Sequence, residues 1–225
     1  MDFIYLKRGF SRTMILLPGW AFDAGIFPVE RLKYDIVMPD GPLSCDCSVE
    51  LSRFMQKTGL YRTDLMGWSL GSISAIHFAK RHQELVERLI LISARDHYPE
   101  EAISDLAGRI LRNRQQAMKR FYLTAFYSQM EDYRKFKKKH FERLMDTWPV
   151  PALIEGLRFI LQCPILPYNF EKAEILNIHG RNDIVAPFDS MPKVTSSIKT
   201  KTFIMEGVGH LPFLKSDFYE IIRDF

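Results

Sequence analysis

The sequence predicts an α/β domain with a mostly parallel central sheet, helices on both faces of that sheet and one helical insertion. Short apolar runs bounded by Gly, Pro, Asn or Asp recur along the chain, and such runs are typical of strands buried on both faces. They are Met14–Leu17, Asp35–Met38, Asp64–Met66, Leu89–Ile92, Ile175–Ile178 and Thr202–Met205. Helical patterns lie between these runs, at Val49–Thr58, Leu70–Lys80, Phe188–Ser196 and Phe213–Asp224. Because strands and helices alternate, we expect parallel strands joined by crossover helices.

The alternation stops over residues 98–167, where no strand-like run occurs. Apolar residues recur there at helical spacing. They do so in three stretches, which are Ile103–Phe126, Tyr133–Trp148 and Ala152–Leu161. We therefore expect a single domain over residues 1–225, with a helical segment inserted into it at residues 98–167.

The composition excludes several classes of protein. The chain has 225 residues, of which 47% are apolar and 26% are charged, so disorder, collagen and coiled coils are excluded. No apolar run approaches the ~20 residues of a membrane span, and no signal-peptide pattern opens the chain. Three cysteines do not make a disulfide framework, and the pair Cys45 and Cys47 has no second pair of metal ligands beside it. We expect a cytoplasmic protein that holds no metal and no other cofactor.

Positive charge is concentrated in the predicted insertion. The net charge of the chain is +4, yet residues 109–143 contain eleven Lys/Arg and only three Asp/Glu. A charge run on an amphipathic helix is usually a solvated face. Nucleic-acid binding is not favoured, because no stacking aromatic residues or known module accompany the charge. Binding to a membrane surface is the other alternative. We expect no stable membrane association, because the apolar residues of the insertion are needed to close a pocket.

The strongest motif is Gly67-Trp68-Ser69-Leu70-Gly71, which matches G-x-S-x-G. A predicted strand precedes it and a predicted helix follows it, which is the context that this motif requires. Such a sharp turn strains its central residue and needs small residues on either side. The turn would lift the Ser69 hydroxyl above the carboxyl edge of the sheet, so Ser69 is the candidate nucleophile.

A serine nucleophile needs a base and an acid that orients the base. Of the six histidines, only His210 lies on a glycine-bracketed loop at the carboxyl end of a predicted strand, and it is the candidate base. Asp183 follows the strand before it and is the candidate acid. Asp189 is the alternative, although capping is the plainer role for it. Two backbone N–H groups, those of Leu70 and Trp20, would form the oxyanion hole, and the Trp20 ring can also be a core aromatic.

Four segments together resemble the α/β-hydrolase superfamily, and within it most closely the pimeloyl-acyl-carrier-protein methyl ester esterases of biotin synthesis. They are Leu17-Pro18-Gly19-Trp20, the G-W-S-L-G motif at residues 67–71, His179-Gly180-Arg181-Asn182-Asp183 and Gly209-His210-Leu211-Pro212-Phe213. The resemblance covers nearly the whole chain. Pro18 departs from the family pattern, which often has His there, and the loop 39–44 is shorter than the usual glycine-rich loop. Both differences bear on the shape of the pocket more than on the triad.

The resemblance implies that residues 98–167 form a lid and that the protein is a serine carboxylesterase acting on a methyl ester. In this family Ser69, His210 and Asp183 would be the catalytic triad. The substrate would contact Trp20, Trp68, Ser69, Leu70, Phe121, Tyr122, Leu123, Thr124, Ala125 and His210, with Trp68 and Phe121 on the walls of a narrow channel. The lid would receive acyl carrier protein through Arg112, Lys119, Arg120, Arg134, Lys137, Lys138 and Lys139.

Other readings stay open from the sequence alone. A second activity of the same superfamily is one alternative, whether a small-ester esterase, a thioesterase or a menaquinone-pathway lyase. A more distant alternative is a binding module that has kept the fold without catalysis. The intact candidate triad argues against that last reading.

Overall fold

The computed structural model describes all 225 residues and shows an α/β fold. Seven strands form the central sheet in the order β1-β3-β2-β4-β5-β7-β9, and only the pair β1–β3 is antiparallel. Two short strands, β6 and β8, pair separately. The strands are β1 Phe3–Leu6, β2 Thr13–Leu17, β3 Asp35–Pro39, β4 Thr63–Trp68, β5 Val86–Ile92, β6 Tyr168–Phe170, β7 Glu174–Gly180, β8 Val194–Ser196 and β9 Thr200–Met205.

Eight α-helices complete the structure, and five of them follow one another between β5 and β6. The helices are α1 Ser48–Thr58, α2 Leu70–Arg81, α3 Glu100–Arg112, α4 Arg114–Ala125, α5 Met130–Lys139, α6 Phe141–Thr147, α7 Val150–Gln162 and α8 Ser216–Asp224. We call α3 to α7 the helical insertion. None of the helices combines the length and the apolar character that crossing a membrane would require.

All six predicted strands are present, and the insertion contains no strand, as expected. The antiparallel strand β1 was not predicted. The predicted helix Phe188–Ser196 is wrong, because the chain there makes one 3₁₀ turn, Phe188–Ser190, and then strand β8. Pro192 explains the difference, since a proline in the interior of a helix removes a hydrogen bond and clashes with the preceding turn.

The insertion contains five helices instead of the three predicted stretches. The first stretch breaks at Asn113, whose side chain accepts a hydrogen bond from the Gln116 N–H at 3.1 Å and so begins α4. The second stretch breaks at His140. The buried side chains of the insertion, among them Tyr122, Phe126 and Trp148, belong to the same apolar cluster as the sheet. The insertion is therefore packed onto the core of the sheet and has no separate core of its own.

The contact between α2 and the sheet leaves no space at two glycines. A Cβ on Gly67 would lie 2.4 Å from the carbonyl oxygen of Gly71, and a Cβ on Gly71 would lie 2.0 Å from the carbonyl oxygen of Leu17. Both obstacles are backbone atoms, which cannot rotate away. Helix α2 can therefore start directly against β2 and β4 only because these positions lack side chains.

Gly71→Ala should therefore destabilise the protein by about 3 kcal/mol in urea unfolding, at the upper end of the ~1–3 kcal/mol that overpacking commonly costs, because the obstacle is rigid backbone. Gly108→Ala is the matched control, because a Cβ there meets only the flexible end of Arg112 at 3.5 Å. That change should be neutral or stabilising by up to ~1 kcal/mol, since alanine favours a helix more than glycine does. Equal stability of the two variants would contradict the close packing of α2.

Candidate active site

Ser69 lies at the turn between β4 and α2, in a backbone conformation that residues other than glycine rarely adopt. Its φ is 54° and its ψ is −118°, a strained combination for any residue other than glycine. The turn is held by the Ser69 N–H, which donates to the Ile92 carbonyl at 2.9 Å. Gly19 adjoins it, because a Cβ on Gly19 would lie 3.3 Å from the Ser69 Cβ. The predicted turn is thus present, with the loop after β2 packed against it.

His210 and Asp183 form a buried hydrogen-bonded pair. His210 follows β9, Asp183 follows β7, and the His210 Nδ1 lies 2.8 Å from the Asp183 Oδ2. The other carboxylate oxygen of Asp183 accepts the backbone N–H groups of Val185 and Ala186 at 2.9 and 2.8 Å. Burial alone would raise the pKa of the Asp183 carboxyl, but His210, the Ala186 N–H and His179 together hold that pKa below its ordinary value. Asp183 is therefore an ionised acceptor that fixes the orientation of the His210 ring.

A second histidine borders the same carboxylate. The His179 Nε2 donates to the Ala186 carbonyl at 2.5 Å and lies 3.7 Å from the Asp183 Oδ2. Burial lowers the pKa of His179, so its ring is neutral at neutral pH. His179 is thus a buried, hydrogen-bonded packing residue. The rival acid, Asp189, is exposed in a 3₁₀ turn, and its side chain caps nothing.

The Ser69 hydroxyl makes no hydrogen bond to His210 in this structure, although the two residues share neighbours. Trp68, next to Ser69 in the chain, donates its indole N–H to the His210 carbonyl at 2.8 Å, and the two rings are 5.4 Å apart. Tyr98 lines the same cavity as Ser69, and burial raises the pKa of its phenol to about 12. Contacts between a nucleophile and its base are often loose without a substrate.

Trp20 has two separate roles in the structure. Its indole N–H donates to the Leu153 carbonyl at 2.9 Å, and its ring packs edge-on against Phe121 with centroids 4.6 Å apart. Its backbone N–H has no acceptor within the chain. The Leu70 N–H is the first of helix α2, where helix N–H groups lack partners within the helix. These are the two N–H groups that the sequence predicts for an oxyanion hole.

A cavity of about 240 Å³ opens at Ser69. Of the predicted substrate-binding residues, Trp20, Ser69, Phe121 and Thr124 line it. Several other lining residues were not predicted. Most of these are apolar, and the polar ones are Arg95, Tyr98, Arg109 and Arg120.

The other predicted contacts do not line this cavity. Trp68 is fully buried beneath the site, where its ring packs against Phe22 and Phe213. Tyr122 is buried too, and its hydroxyl donates to the Ala21 carbonyl at 2.6 Å. Leu123 is 43% exposed, because it lies on the opposite face of α4. The remaining three, Leu70, Ala125 and His210, are also absent from the cavity wall.

Arg95 and Tyr98 form one polar part of the cavity wall. The Arg95 guanidinium lies 5.0 Å from the centre of the Tyr98 ring, and its Nη1 donates to the Val185 carbonyl at 3.0 Å. Both residues follow the carboxyl end of β5. The rule that selected Asp183 and His210, that sites gather at the carboxyl ends of parallel strands, would also have found these two.

The predicted docking residues are all exposed, and none of them takes part in an ion pair. They form two groups in the chain. Arg112, Lys119 and Arg120 lie on α3 and α4, while Arg134 and Lys137–Lys139 lie on α5. Lys135, which lies between Arg134 and Lys137 on α5, is exposed too, but it forms an ion pair with Glu131 at 3.0 Å. The positive charge of the insertion is therefore largely uncompensated.

Comparisons with known proteins agree with this fold. A family model described as alpha/beta hydrolase fold matches residues 44–153. The pimeloyl-acyl-carrier-protein methyl ester esterase of Nitrosomonas europaea is 25% identical over 92% of this chain and 91% of its own length. The enzyme of the same name from Aeromonas hydrophila is 26% identical over 97% of both chains.

Solved structures show the same fold. An esterase from Exiguobacterium antarcticum superposes with a TM-score of 0.73 at 16% identity, covering 99% of this chain and 93% of its own. A bromoperoxidase from Bacillus anthracis superposes with a TM-score of 0.74 at 12% identity, covering 98% and 93%. The fold and the sequence relatives indicate a hydrolase. The chain has the α/β-hydrolase fold and is similar in sequence, over nearly its whole length, to pimeloyl-acyl-carrier-protein methyl ester esterases.

Proposed function

We propose that the protein is a serine carboxylesterase in which Ser69 is the nucleophile, His210 the base and Asp183 the orienting acid. The observation that carries the proposal is the 2.8 Å hydrogen bond between His210 and Asp183, which are 27 residues apart in the chain. This pair is buried beside Trp68, the residue that precedes the strained turn at Ser69. An imidazole that is held by an ionised carboxylate next to a serine in such a turn is the arrangement that activates a hydroxyl.

The reaction proceeds through an acyl-enzyme. After rotation of its side chain, the Ser69 hydroxyl gives its proton to the His210 Nε2 and attacks the ester carbonyl carbon. The Trp20 and Leu70 N–H groups hold the oxyanion. The alcohol leaves with the proton that His210 returns, and the acyl group stays on Ser69. Water then attacks in the same way, so one ester and one water give one acid and one alcohol.

We further propose that the ester is the methyl ester of a pimeloyl group carried by acyl carrier protein, so the alcohol is methanol. The names of the sequence relatives support this substrate. The largely apolar wall of the cavity at Ser69 suits an acyl chain, and the unpaired cations of the insertion suit an acidic carrier protein. In this role the insertion is a lid that closes the cavity, with Phe121 against Trp20. The three cysteines are free thiols, which fits a cytoplasmic enzyme.

Ser69→Ala should reduce kcat at least ~10⁴-fold, because losing the nucleophile of a triad removes nearly all of its catalysis. Its free energy of unfolding should change by less than ~1 kcal/mol. The assay compares methyl pimeloyl-carrier protein with p-nitrophenyl esters and acyl thioesters, so it also separates the proposed substrate from other activities of the superfamily.

Ser72→Ala is the matched control for Ser69→Ala. The Ser72 hydroxyl is fully buried and donates to the Gly67 carbonyl at 2.7 Å. Its loss should cost about 1 kcal/mol of stability and leave the activity of the folded enzyme unchanged. If Ser69→Ala unfolded the protein, Ser69 would be a structural residue. If the variant kept its activity, Ser69 would not be the nucleophile.

Asp183→Asn should lower the free energy of unfolding at neutral pH, and it should lower it much less in acid. The folded-state pKa of Asp183 is lowered, and the unfolded value is about 3.9. The carboxylate therefore contributes stability above about pH 4, and this contribution is lost as the pH falls through the lowered folded value. The gap in unfolding free energy between wild type and variant should shrink below about pH 4. The exposed Asp189→Asn removes no side-chain hydrogen bond and should leave the free energy of unfolding at neutral pH unchanged. A difference between wild type and Asp183→Asn that does not depend on pH would refute the ionised role of Asp183.

Reversal of Arg134, Lys137, Lys138 and Lys139 to Glu should raise KM for the carrier-bound ester by ~10-fold or more, with the strongest effect at low salt. KM for a p-nitrophenyl ester should stay the same. The control reverses four exposed lysines outside the insertion, which are Lys33, Lys57, Lys172 and Lys201. It changes the net charge equally and should leave both KM values unchanged. Equal increases in KM for both substrates in the Arg134/Lys137/Lys138/Lys139 variant would exclude docking at α5.

A further inference from the structure

The side chain of Gln129, in the insertion, is hydrogen-bonded to the backbone on both sides of His210. Its Nε2 donates to the Leu211 carbonyl at 3.0 Å. Its Oε1 accepts the Gly209 N–H at 3.1 Å and the Leu211 N–H at 3.3 Å. Gln129 is 2% exposed, so water does not compete for these bonds. One amide group thus joins both neighbours of the candidate base.

Gln129 is itself held firmly by its own segment. Its backbone N–H donates to the Phe126 carbonyl at 2.8 Å, and its carbonyl accepts the Tyr133 N–H at 3.0 Å at the start of α5. The segment also packs closely on the loop, because a Cβ on Gly209 would lie 2.4 Å from the Tyr127 carbonyl oxygen. The side chain therefore extends from a fixed support.

An amide side chain fits all three bonds. Two N–H groups and one carbonyl face this side chain, so it must accept and donate at once. An ionised carboxylate can accept from Gly209 and Leu211 but cannot donate to the Leu211 carbonyl. An apolar side chain would leave three buried backbone groups without partners, at a cost of about 1–3 kcal/mol each.

We propose that Gln129 is a positioning residue, whose amide fixes the loop 209–211 and so keeps the His210 imidazole aligned between Asp183 and Ser69. The insertion is then part of the catalytic machinery as well as a cover. This inference rests on the proposed role of His210 as the base. Gln129 would affect the position of the imidazole. Small displacements of a catalytic group are costly, since a shift of about 1 Å can reduce a rate ~100-fold.

The test compares Gln129→Ala and Gln129→Glu with Gln115→Ala, which removes an exposed amide on α4 that makes no hydrogen bond. With a p-nitrophenyl ester, Gln129→Ala should lose ~10- to 100-fold in kcat, while KM changes less than ~3-fold. Gln129→Glu should shift the acid limb of the kcat/KM profile to higher pH, because its charge favours protonated His210. The titratable groups on the other side of His210, Asp183 and His179, are the same in every variant.

An NMR measurement separates positioning from simple stabilisation. The His210 Nδ1–H proton should give one resolved low-field resonance in wild type and in Gln115→Ala, and a shifted or broadened one in Gln129→Ala. If Gln129→Ala does not fold, Gln129→Glu carries both readouts. Lower unfolding temperatures with an unchanged kcat, acid limb and resonance, measured where every variant is folded, would overturn the proposal. The two proposals can fail separately, because the resonance is measured without turnover. An inactive wild type would reject the proposed esterase activity, and the resonance would still show whether Gln129 positions His210.

Discussion

The turn from β4 into α2 is the constraint on which the rest of the site depends. Gly67 and Gly71 let the first turn of α2 pack directly on the backbone of β2 and β4, where a single methyl group would collide with a carbonyl oxygen. That packing holds Ser69 at a positive φ, and the strain is sustained because the surrounding sheet and helix are buried and rigid. Every other element of the candidate site is arranged around this fixed point.

The candidate base is held from two directions. Asp183 binds the side chain of His210 from the end of β7, while Gln129 binds the backbone around it from the insertion. Trp68 adds a third contact, through its bond to the His210 carbonyl. The sheet and the insertion thus meet at His210. A movement of the insertion would therefore reach the loop that carries His210 through Gln129.

Much of the fold could be predicted from the sequence because its signals are local. Buried parallel strands appear as short apolar runs, and G-x-S-x-G needs its glycines for a reason that the structure explains by backbone contact. Asp183 and His210 were found because parallel strands bring their carboxyl ends to one edge. The failures also have local causes: Pro192 breaks a helix, and Asn113 begins a new one inside a continuous apolar pattern.

Gln129 and the contact of Tyr122 with the Ala21 carbonyl could not be predicted in the same way. Each depends on how the insertion packs on the sheet, and periodicity gives the buried face of a helix without its partner. Gln129 lies between two helices in a segment with no motif. Trp68 shows the same limit, since the family resemblance implies a place on the channel wall, whereas its indole is buried and bonded to the His210 loop.

The central claim is that the proton relay of Asp183 and His210 activates the Ser69 hydroxyl. The most direct measurement is peptide mapping by mass spectrometry after reaction with a fluorophosphonate, comparing the wild type with His210→Ala. The account predicts one adduct in the wild type, on Ser69, and almost none in the variant. A wild type that stays unlabelled, an adduct on another residue, or equal labelling without the imidazole would contradict it.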